Sequence, residues 1–265
     1  MTAETPPQSS LVAESLLFAS RHFTRWRRYP IVPLQSLLFP TFLLITYDLL
    51  IGKSMMRITG ADSLYGLVPM CAVAGGMFGA LGAAFAIPPE RDSGLLSRLW
   101  TFPVHRASAL TGALLAEAAR TLVGAVLVTV VGVGLGLRFH GGWLMVIPFL
   151  LIPVVVVVVF ATVVMTAALS AKSESAGTLF TWLGTGSIGL VFCSAGVAPI
   201  SMFPSWLQPV VAFQPMSPTI ESMRGLAEGG PVLWPLMVTF GWVFGLAAIF
   251  GPLAVRGYRT AAESG

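Results

Sequence analysis

Long apolar runs and short charged or Pro/Gly-rich segments alternate along this chain, giving six apolar stretches in all. The clearest runs from Trp143 to Leu169 without a charge and contains consecutive valines from Val154 to Val159. A helix of about 20 apolar residues crosses the hydrocarbon core of a bilayer. A valine run could be a buried strand, but strands are short and bounded by turn residues, and this run is too long for one. The pattern predicts membrane helices near residues 31–51, 64–87, 109–137, 143–169, 176–198 and 232–255. The expected fold is an all-α polytopic membrane protein with six transmembrane helices.

The polar segments add three features. Residues 11–29 have amphipathic spacing: Val12, Leu16, Ala19, Phe23 and Trp26 share one stripe, with Arg21, Arg25 and Arg28 opposite. That is the pattern of an interfacial helix lying in the headgroup plane. Between the second and third spans, Pro88 and Pro89 end a helix and Leu95, Leu96, Leu99 and Trp100 then recur at helical spacing. A helix this short is marginal alone, so a greasy edge on it implies a protein that covers it. Between the fifth and sixth spans the chain is rich in proline yet also in Phe, Met, Trp and Leu. Irregular backbone cannot face lipid, so broken, partly re-entrant helices at the outer leaflet are expected near 199–228. Trp206 and Phe213 suit the interface, and Glu221 and Arg224 are spaced to pair on one helix.

Composition agrees with lipid as the main solvent. Mean hydropathy is +0.84 and charged residues make up 10%, against about 25% in soluble domains. The net charge of +4 is too small to suggest a nucleic-acid surface, and its placement says more. With cytoplasmic termini, ten basic residues fall in inner segments and only Lys53, Arg57, Arg138 and Arg224 in outer ones. The positive-inside rule therefore predicts both termini in the cytoplasm. The N-terminus lacks the features of a removable signal peptide. Cys71 and Cys193 lie in apolar stretches and read as inert small hydrophobes.

Catalytic and cofactor motifs are thin. Gly184-Thr-Gly186-Ser-Ile-Gly189 matches a dinucleotide fingerprint in letters, but it lies within a span rather than a βαβ unit. Gly52-Lys53-Ser54 resembles the end of a phosphate loop whose first glycine is replaced by Tyr47. His22, His105 and His140 are scattered, and no metalloprotease or nucleophile-elbow pattern occurs. The chain is expected to bind no metal and no nucleotide itself. Glu117 and Arg120, three apart in the third span, are the intramembrane polar candidates. They read either as a coupling or pathway-lining pair, or as a self-neutralising pair near the inner boundary. Gly75, Gly79, Gly82, Gly132 and Gly136 read as sites of close helix packing.

Glu90-Arg91-x-x-Gly94-x-Leu96-x-Arg98-Leu99, followed by Pro103-Val104-x-Arg106, resembles the cytoplasmic signature of type-2 ATP-binding-cassette exporter permeases. The likeness covers nearly the whole chain. It includes Leu67-Val68-Pro69, the outer Phe203-Pro204-x-Trp206-Leu207-x-Pro209 and Gln214-Pro215-Met216-Ser217-Pro218 runs, and Gly257-Tyr258-Arg259. It is nearest to the daunorubicin-type exporters and their mycobacterial relatives that move surface lipids. Asp92-Ser93 and Ser217-Pro218 depart from the usual pattern.

The resemblance implies a permease subunit in a bacterial plasma membrane and no enzymatic activity of its own. It implies two permease chains, identical or paralogous, above two ATPase subunits that hold ATP and Mg. Residues 1–30 would carry the interfacial helix, 31–255 the six-span permease domain and 256–265 a cytoplasmic tail. A coupling helix at about 90–102 would dock on the ATPase through Leu95, Leu99 and Trp100. Glu90 and Arg91 would orient it, and Gly94 and Pro103 belong to the same signature. The scarcity of fixed charge in the spans points to a hydrophobic or amphipathic cargo, such as a lipid or a polyketide-like drug. The main rival is an ion-coupled secondary transporter, which needs ion ligands near the midplane. A membrane-embedded enzyme or a scaffold follows.

Overall fold

The computed structural model describes residues 10–28, 31–60, 62–92, 108–171 and 173–263. Regular structure among them is helical throughout. Helix α1 covers Leu11–Arg28. α2 (Ile31–Tyr47) continues through a π-helical turn at Asp48–Gly52 into α3 (Lys53–Thr59). Gly60, at φ 70°, then stops the helix in the left-handed conformation that glycine adopts without strain. α4 is Leu64–Ala84 and the short α5 is Ile87–Asp92. α6 is Ser108–Leu135, and a 3-10 turn at Trp143–Met145 leads into α7, Val146–Ser170. α8 is Ser173–Phe192. After a second 3-10 turn at Ile200–Met202 come α9 (Gln208–Phe213), α10 (Met216–Glu228) and α11 (Leu233–Glu263).

α4 is the hub because its sequence offers no polar face. Every residue from Leu64 to Met77 is buried. α4 packs against α2, α6, α7, α8 and α10, while α1 lies along α6 and α11 along α7. Burial reaches 61% of the apolar window of α4 but only 17% in the first and last spans, so those leave wide apolar faces uncovered. In water such faces would drive aggregation; in a bilayer they are solvated. Five helices are long and apolar enough to cross a membrane, at Ser36–Ile58, Leu64–Pro89, Ser108–Leu135, Trp143–Ser170 and Leu233–Tyr258. The protein is an all-α polytopic membrane protein.

Several boundaries move from their sequence expectation. The first span was expected to stop at residue 51, yet the helix continues to Thr59 because the π turn absorbs Asp48–Gly52 without breaking it. The fifth, α8, was expected to reach residue 198 and ends at Phe192; its Gly, Ser and Thr content keeps it out of the strongly apolar set. The last helix runs past residue 255 to Glu263, so the expected tail is mostly a helical extension. The segment between α8 and α11 is broken into short helices, as expected. α10 buries most of its length against α4, α7 and α11. Trp206 and Phe213 are exposed, as are Trp143 and Trp234 at the starts of their helices. Amphipathic aromatics of this kind collect at membrane–water boundaries.

Candidate functional site

Two polar clasps hold the hub helix, one in each half of the molecule. In the half next to α5, Glu117 and Arg120 lie one turn apart on α6 and are 3% and 6% exposed. Arg120 Nε donates to Glu117 Oε2 at 3.0 Å, and Nη2 donates to the same oxygen and to the Gly76 carbonyl of α4 at 2.9 Å. A Cβ on Gly79 would overlap the guanidinium, so only glycine at this place on α4 lets the arginine lie flat on the backbone. The pair is therefore neutralised inside the protein and joins α6 to α4. A small crevice beside it is lined by Ser36, Pro40, Cys71, Thr121 and Gly124. Among the expected packing glycines, Gly75 meets Pro40, and Gly132 meets Val68. Gly82 faces open space, as do Gly184, Gly186 and Gly189 of the fingerprint-like run.

The second clasp surrounds the turn at 193–196, where α8 gives way to the outer segment. Helix ends leave carbonyls without partners, and here side chains supply them. Gln214 Nε2 donates to the carbonyls of Leu190 and Cys193 at 3.1 and 2.9 Å. Ser217 Oγ accepts from the Ala195 amide at 3.1 Å, and Arg224 Nη2 donates to the Ala195 carbonyl at 2.8 Å. Arg224 thus serves the turn rather than forming the close ion pair expected with Glu221. Glu221 stays half-buried, and burial pushes its carboxyl above the ordinary value, opposed by the Arg224 charge. A Cβ on Gly66 would come 2.5 Å from Arg224 Nη2 and 2.7 Å from the Gly196 carbonyl oxygen, so α4 touches the turn directly.

Of the expected coupling residues, Gly94, Leu95, Leu99, Trp100 and Pro103 lie outside the described residues, as does the side chain of Glu90. Arg91 is described. Its Nη1 donates to the Leu169 carbonyl at 3.0 Å, capping the end of α7, and Asp92 Oδ1 lies 3.6 Å from its Nε. On α1, Glu14, Ser15 and Ala19 are buried while Leu16 is 59% exposed. Ser15 Oγ and Thr111 Oγ1 of α6 share a hydrogen bond of 2.6 Å. The side chains of Val12, Arg21, Phe23, Arg25, Trp26 and Arg28 lie outside the described residues. The inner clasp was legible as an i, i+3 pair. The roles of Gln214 and Arg224 were not, since their partners are backbone carbonyls. Asp48 was passed over as well. It sits inside the first membrane helix, and a Cβ on the facing Gly52 would lie 2.9 Å from its Oδ1. Among the described residues no group of three His, Cys, Asp or Glu side chains stands together as a metal site would require.

The two clasps thus join α4 to α6 through a buried ion pair in one half and bring it against the turn at 193–196 in the other. The sequence profile of the ABC-2 type transporter family matches residues 15–227. The chain is 36% identical over 251 residues to the probable doxorubicin resistance ABC transporter permease protein DrrC of Mycobacterium tuberculosis, covering 94% of this chain and 90% of that protein. It is 26% identical to the daunorubicin resistance ABC transporter permease protein DrrB1 of Streptomyces coeruleorubidus, over 97% of this chain and 89% of the relative. A putative transport permease, ycf38, of Cyanophora paradoxa is 24% identical over 81% of this chain and 74% of its own length.

Proposed function

This chain belongs to the ABC-2 type transporter family, and from that premise we propose that it exports a hydrophobic or amphipathic cargo, with a separate ATPase as its motor. It is the membrane permease subunit of an ATP-binding-cassette exporter. The observation that carries the cargo reading is the pairing of Glu117 and Arg120: they satisfy each other and the α4 backbone, so neither stands as a free charge to bind an ion. The relatives named for doxorubicin and daunorubicin resistance support a drug-like amphipathic molecule. A lipid of similar character fits the same chemistry.

In this reading two permease chains enclose the pathway and two ATPase subunits with ATP and Mg dock beneath them. Both termini face the cytoplasm. Residues 90–102 carry the docking helix, with Leu95, Leu99 and Trp100 in a groove of the ATPase, while Arg91 at its start turns to the end of α7 and orients it without touching the ATPase. Closure of the ATPase pair moves this helix and changes the side to which the pathway opens. The motor does work only if the cargo binds the two states with different affinity. The inner clasp keeps α4 and α6 together as the helices tilt, a positioning role. The supporting observation for docking is the Leu-Leu-x-x-Leu-Trp edge, which has no use on a solvated loop.

The test is co-purification in mild detergent with the ATPase subunit that the exporter uses. The double variant Leu99→Asp, Trp100→Asp is expected to insert normally and lose the ATPase. Undiminished retention of the ATPase by that variant would overturn the docking assignment.

A further inference from the structure

We propose that Leu169 is a transmission point between the cytoplasmic coupling segment and the last membrane helix, with Arg91 as the residue that positions it. The proposal rests on the permease reading above. Three elements converge on this one residue. From α5, Arg91 Nη1 donates to the Leu169 carbonyl at 3.0 Å, and Ile87 packs against the Leu169 side chain. Leu169 itself is 4% exposed and lies in the last turn of α7. From α11, Tyr258 packs on the same side chain, and a Cβ on Gly257 would sit 3.5 Å from the Leu169 Cβ.

Helix chemistry explains why an arginine belongs here. The last carbonyls of α7 have no partner within the helix and carry the negative end of its dipole. A guanidinium in that position bonds with charge as well as geometry, which makes the link roughly twice as strong as a neutral hydrogen bond. Asp92, 3.6 Å from Arg91 Nε, helps to hold the side chain in place. A displacement of α5 therefore reaches the end of α7 through a short, stiff contact. α7 and α11 pack together extensively, and Tyr258 closes their inner end. Movement delivered to the loop after the second span is thus passed to the fourth and last spans together. Spatial connection alone does not prove coupling, so the test perturbs both sides of the node.

The experiment uses the full complex with its ATPase subunit. The exposed Thr260 of α11 is replaced by cysteine, Cys193 is replaced by serine, and the maleimide labelling rate is compared without nucleotide and with ATP plus vanadate. The wild-type background is expected to show a nucleotide-dependent change in rate. In Arg91→Met the ATPase stays bound, but the change falls about tenfold, the factor carried by one hydrogen bond from a charged donor. Arg91→Lys, which keeps a charged donor, retains most of the response. Tyr258→Ala loses it from the other side, and the double variant Arg91→Met, Tyr258→Ala loses no more than either single one, as members of one chain should. Three results would overturn the inference: a full response in Arg91→Met, an equal loss in Arg91→Lys, or loss of the ATPase from Arg91→Met, which would place Arg91 on the ATPase surface instead. If the unmodified permease retains no ATPase, the functional reading fails and takes this inference with it.

Discussion

Replacing Arg120 by methionine strands a carboxylate in the interior. Glu117 is 3% exposed and receives both Nε and Nη2 of Arg120, while Nη2 also bonds to the Gly76 carbonyl at 2.9 Å. Breaking a buried ion pair from one side costs about 3–5 kcal/mol. Two hydrogen bonds to a charged group, at about 1.5–3 kcal/mol each, bracket the same figure. For a chain of this size about 2–4 °C accompanies each kcal/mol on the soluble-protein scale, so the thermal midpoint in detergent should fall by roughly 6–20 °C. Size-exclusion elution after a heating series reads this directly. The double variant Glu117→Leu, Arg120→Met removes both charges, and such replacements in other proteins are often neutral or stabilising. It should recover the stability to within about 1.5 kcal/mol, the usual tolerance for well-packed apolar exchange. If the double variant also transports normally, the pair is a clasp and nothing more. If it folds but does not transport, the charges act in the cycle. An Arg120→Met protein as heat-resistant as wild type would refute the reasoning outright, because the pair could not then be buried between α4 and α6.

Glycine contacts give two further expectations. Gly79→Ala forces a methyl group into the Arg120 guanidinium and should destabilise by about 1–3 kcal/mol, whereas Gly82→Ala, one turn on and facing open space, should stay within about 0.5 kcal/mol of wild type; midpoints measured side by side decide it. Gly66→Ala should loosen the outer clasp, since it meets both Arg224 and the Gly196 carbonyl, and would be read as faster proteolysis of the 193–215 segment. Glu221 makes a pH prediction. Its carboxyl lies above the ordinary 4.5 in the fold because of burial, so the folded state holds the proton at pH values where the unfolded chain has released it. Its contribution is fully present below about 4.5 and is lost as pH rises through the raised value. The midpoint of wild type should therefore fall relative to Glu221→Gln as the pH rises from about 4.5 to 7; parallel pH profiles of the two proteins would contradict this.

Much of the architecture was legible because lipid imposes a simple rule. A run such as Trp143–Leu169 has one stable solution in a bilayer, and the structure gives it one helix. The broken outer helices followed from the same rule applied to a segment rich in both proline and apolar side chains. Boundaries were harder. Gly52-Lys53 looks like an ending, yet a π turn carries the helix through, and no local residue preference announces that. Gly82 looked like a packing site but faces open space, since period alone does not say which neighbour is present. The clasps divided in the same way. Glu117 and Arg120 advertise each other by sign and spacing, whereas Arg91, Gln214 and Arg224 bond to carbonyls that every residue carries.

The central claim is that ATP hydrolysed on a docked partner drives an amphipathic molecule across the membrane through this subunit. Vesicles reconstituted with the permease and its ATPase, with doxorubicin as the fluorescent probe, test it most directly. The account predicts uptake into the vesicles that hold inward-facing outer surfaces, dependent on ATP and abolished by Leu99→Asp, Trp100→Asp. Uptake that proceeds without ATP and follows an imposed proton gradient would contradict it.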